Sequence, residues 1–472
     1  MTDVRNLYEA RPEDARVADI DRDAHAMGEL LGREGIWFGS IIGTNKDANY
    51  SGKRHLLTVA PTRSGKGACA IIPNLLMQTN MSIICVDPKG QNMMVTASSR
   101  IQDGTEVLPL NPFREHDIPT VQYNPLASLR IDDPNVDADI AGLSEALIVT
   151  EGTDPHWANS ARDLVGALML HLVATEGGGA TLPKMRTLLT QPDSLFNETI
   201  AEMGKSKYAF IAQPAVRFLH DTREIKGIIS TAITQTKFLD NPGIAHVLSG
   251  SSFSMLDFKK RRMTLYVVLP SRYMAAFARF LRLIVVSAID HLTSRPGGIP
   301  TLFILDEFAQ LGHLSAIENA FGLAAGYNVQ LWPFVQDLNQ LKKIYGERWE
   351  SFIANAGVVQ WFTPNDQFTA EYLSKRCGKR SMFTKAVNES TSFNYSAGGK
   401  NPSRGQNVTA NYNEVVVDLY SPQDLYQLAE DGQLLTLSGL KYPVRCARER
   451  YYEFSGDFEI FRNAAGADPF HQ

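Results

Sequence analysis

Apolar positions follow two rhythms along this chain. Short, almost unbroken apolar runs occur at His55–Ala60, Met81–Val86, Glu106–Leu110, Thr264–Leu269, Thr301–Leu305, Asn328–Trp332 and Val358–Phe362. Runs of this length with little polar alternation predict strands covered on both faces, the habit of a parallel sheet. Helical patterns separate them, among them a mostly apolar stretch at Ala68–Met77 that contains Pro73, and a long one at Ala276–His291. Between about 135 and 250 the strand rhythm stops. Helical stretches at Asp137–Thr150, Trp157–Thr175, Leu195–Met203 and Arg223–Leu239, parted by glycine or proline, predict an inserted all-α domain. The pattern as a whole predicts an α/β fold with a doubly wound, mostly parallel sheet.

The remaining segments complete the division. Residues 1–34 are polar and mainly acidic and read as a peripheral arm. The sheet domain then occupies 35–134, is interrupted by the helical domain at 135–250, and resumes over 251–461. Within its second part, 382–413 is rich in Ser, Asn and Gly with few aliphatic anchors, which predicts a long mobile loop. Val415–Asp418, a helix beginning near Pro422, and strands at Gln433–Leu437 and Pro443–Arg448 finish the sheet and its flank, and the tail 462–472 is expected to fray.

Composition narrows the function. The balance of 46 basic against 51 acidic residues gives a formal net charge of -5, so any polyanion must be held by a local patch rather than by the whole surface. The four cysteines, Cys69, Cys85, Cys377 and Cys446, are too far apart for a short metal-ligand pair or a dense disulfide framework, which points to a reducing compartment. No apolar run approaches the roughly 20 residues that span a bilayer, and Asp3, Arg5 and Glu9 stand where a secretory signal is apolar. The histidines show no metal-ligand spacing, and sequence spacing identifies no nucleophile triad.

Chemistry concentrates at two places. Ala60–Gly67, reading Ala-Pro-Thr-Arg-Ser-Gly-Lys-Gly, lies between the first core strand and a helix. A tight turn there directs successive N–H groups and the helix N-terminus at phosphate oxygens, while Lys66 adds a compact cation. Pro61, Thr62, Arg63, Ser64, Gly65, Lys66, Gly67 and Ala68 are therefore candidate nucleotide-binding residues. Gly67 stands where a Ser or Thr usually ligates magnesium, so Thr62, Ser64 or water must take that place, or the metal binds more weakly. The second place is Thr301–Leu305 running into Asp306 and Glu307. Asp306 is the candidate for holding magnesium through water, and Glu307 for orienting or deprotonating the water that attacks a γ-phosphate. Together these are the two halves of a nucleoside triphosphatase that uses ATP and Mg2+, and their wide separation requires the helical insertion.

Other positions follow from these. Gln336, after the Asn328–Trp332 strand, is placed to contact the γ-phosphate and report its loss to Asp337, Asn339 and Gln340. Asp87 and Lys89 close the second strand at the same edge and are candidate nucleotide contacts, with a plain turn as the alternative. Lys259–Arg262 and the pairs Lys375-Arg376 and Lys379-Arg380 are the strongest basic clusters. They suit DNA backbone contact, and Arg376 or Arg380 is also a candidate finger reaching a neighbour's phosphates.

Several separated motifs in one order carry a family resemblance. Val59–Gly67, Ile71–Leu76, Val86–Gly90, Tyr123–Leu126, Asp306–Gly312 and Val335–Gln340 resemble the coupling proteins of bacterial type IV secretion, the VirD/TraG group, over about residues 35–455. The resemblance implies a RecA-like P-loop ATPase carrying an all-α domain that recognises cargo, here 135–250. It also implies a homo-oligomer, a ring of six at the inner face of the bacterial cytoplasmic membrane, working with inner-membrane secretion components. ATP turnover in such proteins drives or gates transfer of single-stranded DNA with its relaxase, or of protein effectors. Arg63 and Gly67 resemble the TraG-like form of the loop. Such proteins usually begin with membrane-spanning helices, which this chain lacks. That implies a soluble member, one dependent on a separate membrane partner, or a truncated one. The competing readings are a non-hydrolysing cargo adaptor on a motor scaffold and a double-stranded DNA pump.

Overall fold

The computed structural model describes residues 7–9, 28–32, 34–150, 154–220, 222–394, 403–428, 431–440, 442–453 and 464. Its strands, numbered in chain order, are β1 (Leu7–Glu9), β2 (Ile36–Ser40), β3 (Asp47–Tyr50), β4 (His55–Val59), β5 (Ser82–Asp87), β6 (Glu106–Leu110), β7 (Met263–Val268), β8 (Thr301–Leu305), β9 (Val329–Val335), β10 (Ala356–Trp361), β11 (Lys379–Asn394), β12 (Ser403–Asp418), β13 (Gly432–Leu437) and β14 (Val444–Ala447). A nine-stranded sheet runs in the order β14-β13-β10-β4-β9-β8-β5-β7-β6. Every pairing from β10 to β6 is parallel, and β13 and β14 close one edge antiparallel.

The unbroken apolar runs have the expected cause, because both faces of the sheet are covered. Leu57, Val59, Ile84, Val86, Phe303 and Leu305 join the core shared with the long helix Met274–Thr293 and the helices between β6 and β7. Their neighbours Leu56, Ile83, Cys85, Leu302 and Ile304 belong to a second core with the β2–β3 ribbon and the helix after the phosphate loop. The helices between β6 and β7 run from Val136–Leu147 to Pro242–Val247, and the central one, His156–Glu176, contributes Leu164, Val165, Leu168 and Leu172 to the first core. No helix among the described residues is long and apolar enough to cross a membrane.

A chain of buried polar groups crosses the sheet edge. Trp332 Nε1 donates to Thr58 Oγ1 at 2.8 Å, Thr58 donates to Gln360 Oε1 at 2.7 Å, and Gln360 Nε2 donates to Gln433 Oε1 at 2.6 Å. Gln433 Nε2 ends the chain on the carbonyls of Phe38 and Ala447. Trp332, a donor only, starts the chain, and Thr58, Gln360 and Gln433 each both donate and accept, so four strands are locked in one relative register.

His55 opens β4 under a similar constraint. Its Nδ1 accepts from Leu331 N–H at 3.0 Å while Nε2 donates to Ala320 O at 2.9 Å, which requires the neutral Nε2–H tautomer. Burial pushes its pKa down to about 4. A depressed base means that the unfolded chain binds the proton more tightly. The associated stability is therefore complete above pH 6.5 and lost as pH falls toward 4. The expected loss is on the order of 3 kcal/mol. Urea unfolding at pH 5 and pH 7 should show this slope in the parent and a clearly smaller one in His55→Gln.

One expectation needs correction. Where a mobile loop was expected over 382–413, β11 and β12 form an antiparallel ribbon that pairs Lys379 with Asp418 at its base and Asn394 with Ser403 at its far end. The shortage of aliphatic residues is a poor guide here, because β11 carries Phe383, Thr384, Val387, Thr391 and Phe393, β12 carries Val408, Thr409, Tyr412, Val415, Val416 and Val417, and a ladder needs their β preference rather than a core. Residues 395–402 lie outside the described residues. The short strand β1 pairs with the other edge of β11, while most of the 1–34 arm and all of the 462–472 tail except Ala464 lie outside them.

Candidate active site

The phosphate loop leaves β4 at Val59 and turns through two left-handed residues, Arg63 at φ 61° and Gly65 at φ 85°. Such a conformation is free for glycine and costs an arginine about 1 kcal/mol, so Arg63 is held there by its neighbours. Ser64 N–H closes onto Pro61 O at 3.2 Å, and Cys69 N–H reaches back to Gly65 O at 2.9 Å. Lys66 sits at the N-cap of a helical run that begins as a π turn over Gly67–Ile71 and continues as an α-helix over Ile72–Met77. Pro73 lies inside this continuous run, directly after the π turn, and has no N–H to continue the backbone ladder there.

Strand β8 delivers the acids. Glu307 takes a left-handed conformation at φ 55°, and its N–H donates to Asp306 Oδ1 at 3.0 Å. Lys66 Nζ lies 2.7 Å from Asp306 Oδ1 and 2.5 Å from Glu307 Oε1, across 241 residues of sequence. Strand β9 runs between β4 and β8, so its end adds Gln336, whose Nε2 donates to Glu307 Oε2 at 3.3 Å. Gln336 N–H is itself held by Gln340 Oε1 at 3.0 Å, and Gln340 N–H by Asp337 Oδ1 at 2.9 Å. Lys66, Asp306, Glu307 and Gln336 therefore form one cluster at the carboxyl ends of three adjacent strands.

Electrostatics explain why the cluster holds together. Burial pushes the Asp306 carboxyl above its ordinary range, and Lys66 partly restores it. Burial likewise opposes the charge on Lys66, but the two carboxylates outweigh it and hold the ammonium pKa above normal. The group is a half-shielded cation between two acids, so an incoming polyphosphate competes directly with carboxylates for the same lysine.

The other candidates are placed differently. Asp87 ends β5 but turns inward, where its Oδ2 accepts from Met93 N–H at 2.9 Å and burial pushes its pKa up to about 6. It caps the helix Gln91–Gln102 from inside the fold. Lys89 is exposed, and its carbonyl accepts from His116 Nε2 at 2.9 Å. Arg376 Nε donates to Thr436 Oγ1 at 3.3 Å on the β13 edge, and Arg380 stands opposite Val417 in the ribbon. Among the described residues neither arginine is an ion-pair or hydrogen-bond partner of Lys66, Asp306 or Glu307 of its own chain.

A cleft of about 550 Å³ opens on the outer flank of residues 61–65. Its far walls are Thr363 and Asn365, after β10, and Arg448, Arg450 and Tyr452, after β14. Sequence reasoning named none of these five. Arg448 does end the last apolar run, but no motif surrounds it.

The match to known proteins covers the site and the fold together. The family profile described as "Type IV secretory system Conjugative DNA transfer" matches residues 10–468. The chain belongs to this conjugative DNA transfer family. Among its relatives in the family, the conjugal transfer protein TraG of Escherichia coli is 28% identical over 417 residues, covering 81% of this chain and 64% of that protein. Protein VirD4 of Agrobacterium fabrum is 28% identical over 455 residues, covering 92% of this chain and 63% of that protein. The chain thus spans a little under two thirds of the length of these curated relatives. In three dimensions it is similar to the unbound bacterial conjugative coupling protein TrwBdeltaN70, with a TM-score of 0.65 at 15% identity over 90% of this chain and 91% of that one. It is also similar to TrwB in complex with ADP and Mg2+, with a TM-score of 0.61 at 15% identity over 84% and 85% of the two chains. The chain therefore has the RecA-like P-loop fold.

Proposed function

We propose that this chain is the ATP-hydrolysing part of a type IV secretion coupling protein, which recruits single-stranded DNA with its bound relaxase, or protein effectors, and drives them into a secretion channel. The observation that carries this reading is the contact of Lys66 with both Asp306 and Glu307 at the end of a glycine-containing phosphate loop. On nucleotide binding, Lys66 exchanges its carboxylate partners for phosphate oxygens, which frees Glu307 to orient and deprotonate the attacking water. Gln336, already bonded to Glu307, then registers the presence of the γ-phosphate. Loop amides hold the phosphates from below.

The donor set fits magnesium. Asp306 offers a carboxylate beside the loop, and the Ser64 hydroxyl is buried without a hydrogen-bond partner, so it can take the place that Gly67 leaves empty. When bound, magnesium neutralises charge on the phosphate oxygens. The structures of TrwB with ADP and Mg2+ and with an ATP analogue support the same ligand class here.

A ring of six completes the reading, with Arg376 or Arg380 offered to a neighbour's phosphates and residues 135–250 engaging cargo. The working site is the bacterial cytoplasm at the inner face of the cytoplasmic membrane, beside inner-membrane secretion components. Purified chain mixed with MgATP should release phosphate, and single-stranded DNA should raise both the rate and the assembly mass seen by light scattering. ATP binding without turnover under any cargo condition would instead identify an adaptor. A rate that responds only to double-stranded DNA would identify a duplex pump.

A further inference from the structure

We propose that Arg282 is a positioning residue for Glu307, and that its guanidinium makes the loop carrying this acid answer to the helices between β6 and β7. This rests on the reading of Glu307 as the hydrolytic base and adds to it a link that the phosphate and acid motifs do not supply. The two acids account for only the start of the Asp306–Gly312 run, and the rest of that run forms the loop that Arg282 holds.

The loop is tight and set between two left-handed residues, Glu307 at φ 55° and Gly312 at φ 64°. A single turn over Phe308–Leu311 joins them, with Gln310 N–H donating to Glu307 O at 2.9 Å and Gly312 N–H to Ala309 O at 3.2 Å. Phe308 pins the turn from inside, its ring centre 6.1 Å from that of Tyr345 and 5.9 Å from that of Phe352. At its far end the loop meets Arg282, whose Nη1 donates to Leu311 O at 2.6 Å and to His313 O at 2.8 Å, the carbonyls on either side of Gly312. A left-handed conformation is unfavourable for glutamate, so Glu307 keeps it only while the turn beyond it is fixed.

The other edge of the same guanidinium faces the helices. Nε donates to Ala146 O at 3.1 Å and Nη2 to Glu145 O at 3.2 Å, in the last turn of Val136–Leu147, the first helix of the group. Glu145 Oε1 also accepts from Ser315 N–H at 3.4 Å, just beyond the loop. Leu143, Ala146 and Leu147 of that helix share a buried core with Leu164 and Leu168 of His156–Glu176, so a shift of these helices carries the two carbonyls with it. A guanidinium is a planar fork of fixed geometry and cannot follow the acceptors on one edge without moving the donor on the other. Arg282 stands at 3% exposure on the helix Met274–Thr293, where bulk water does not compete for these bonds.

Hydrogen exchange on the parent chain, with and without the magnesium complex of a non-hydrolysable ATP analogue, tests the link without any substitution. The analogue should change exchange in 308–314 and, together with it, in 143–149. A change confined to 308–314 would overturn the proposal. Arg282→Lys keeps the charge but has a single nitrogen that cannot span both sides. Its turnover of MgATP should fall by about tenfold while its affinity for the analogue stays within about twofold, and the response in 143–149 should disappear. Parent-like turnover would overturn the assignment, as would a loss of affinity that matches the loss of turnover, the mark of a merely structural role. Should this variant fail to fold, exchange in the parent decides alone. A parent that neither binds the analogue nor hydrolyses ATP would remove the nucleotide reading, and this link with it, whereas a parent that hydrolyses ATP with 143–149 unmoved would remove the link alone.

Discussion

Replacing Lys66 with alanine is expected to lower ATP hydrolysis by at least about a hundredfold and to weaken nucleotide binding, while Glu307→Gln should abolish turnover comparably and retain binding. The difference follows from the resting geometry. Lys66 is the one side-chain cation in contact with both strand-end carboxylates among the described residues, at 2.7 Å and 2.5 Å. Removing it takes away the charge a triphosphate must meet. It also leaves Asp306 and Glu307 as an uncompensated acidic pair facing the phosphates. Glu307→Gln works in the opposite direction for binding. The lysine loses one of its two competitors, so ATP should bind as well as before or better, while no base remains to take the proton from water. Phosphate release measured alongside nucleotide titration separates the two outcomes. Full hydrolysis by both variants would remove the cluster from the mechanism.

Arg282→Met is expected to destabilise the chain by about 3 kcal/mol, because several buried carbonyls lose their donor at once. Arg282 is almost fully buried at 3% exposure and has no salt-bridge partner among the described residues, so its guanidinium is matched by main-chain carbonyls alone. Nε donates to Ala146 O at 3.1 Å, Nη1 to Leu311 O at 2.6 Å and His313 O at 2.8 Å, and Nη2 to Glu145 O at 3.2 Å. Burial lowers its pKa to about 10, and nearby Glu145 acts against that shift. Glu145 and Ala146 close the last turn of the helix Val136–Leu147, where carbonyls lack partners within the helix. Leu311 and His313 belong to the turn that follows Glu307. Methionine fills much of the volume but strands these acceptors, and lysine, with its single nitrogen, should recover only part of the loss. Urea unfolding of the parent and both variants decides the matter, and a change below about 1 kcal/mol for Arg282→Met would show that water satisfies the carbonyls instead.

These residues also mark what could be read in advance. The phosphate loop and Asp306-Glu307 were legible because each is a run of neighbours whose chemistry needs no distant partner to be recognised. The parallel strands were legible because burial on both faces leaves an unbroken apolar run, as at Ile83–Val86 and Leu302–Leu305. Arg282 was hidden within an apolar helix pattern, since its partners are main-chain carbonyls that carry no sequence signature. Thr363 and Asn365 reach the flank of the phosphate loop only because β10 lies beside β4, an adjacency between residues 356–361 and 55–59 that no local pattern encodes. The β11–β12 ribbon leaves no such mark in composition, because its strands are stabilised by pairing with each other rather than by anchoring in a core.

The strand order has a consequence for how such a chain is made. β4, β5 and β6 are the first three strands of the sheet to leave the ribosome, yet no two of them are neighbours, and every partner they have begins at Met263 or later. A nascent chain that has passed the helices ending at Val247 therefore carries three apolar strands with open edges and nothing to zip against. At ordinary synthesis rates, the 241 residues between Lys66 and Glu307 take on the order of 10–50 s to produce. Throughout that interval Lys66 and its two carboxylate partners cannot meet. The sheet of such a protein can begin to close only once the chain has been made past Met263.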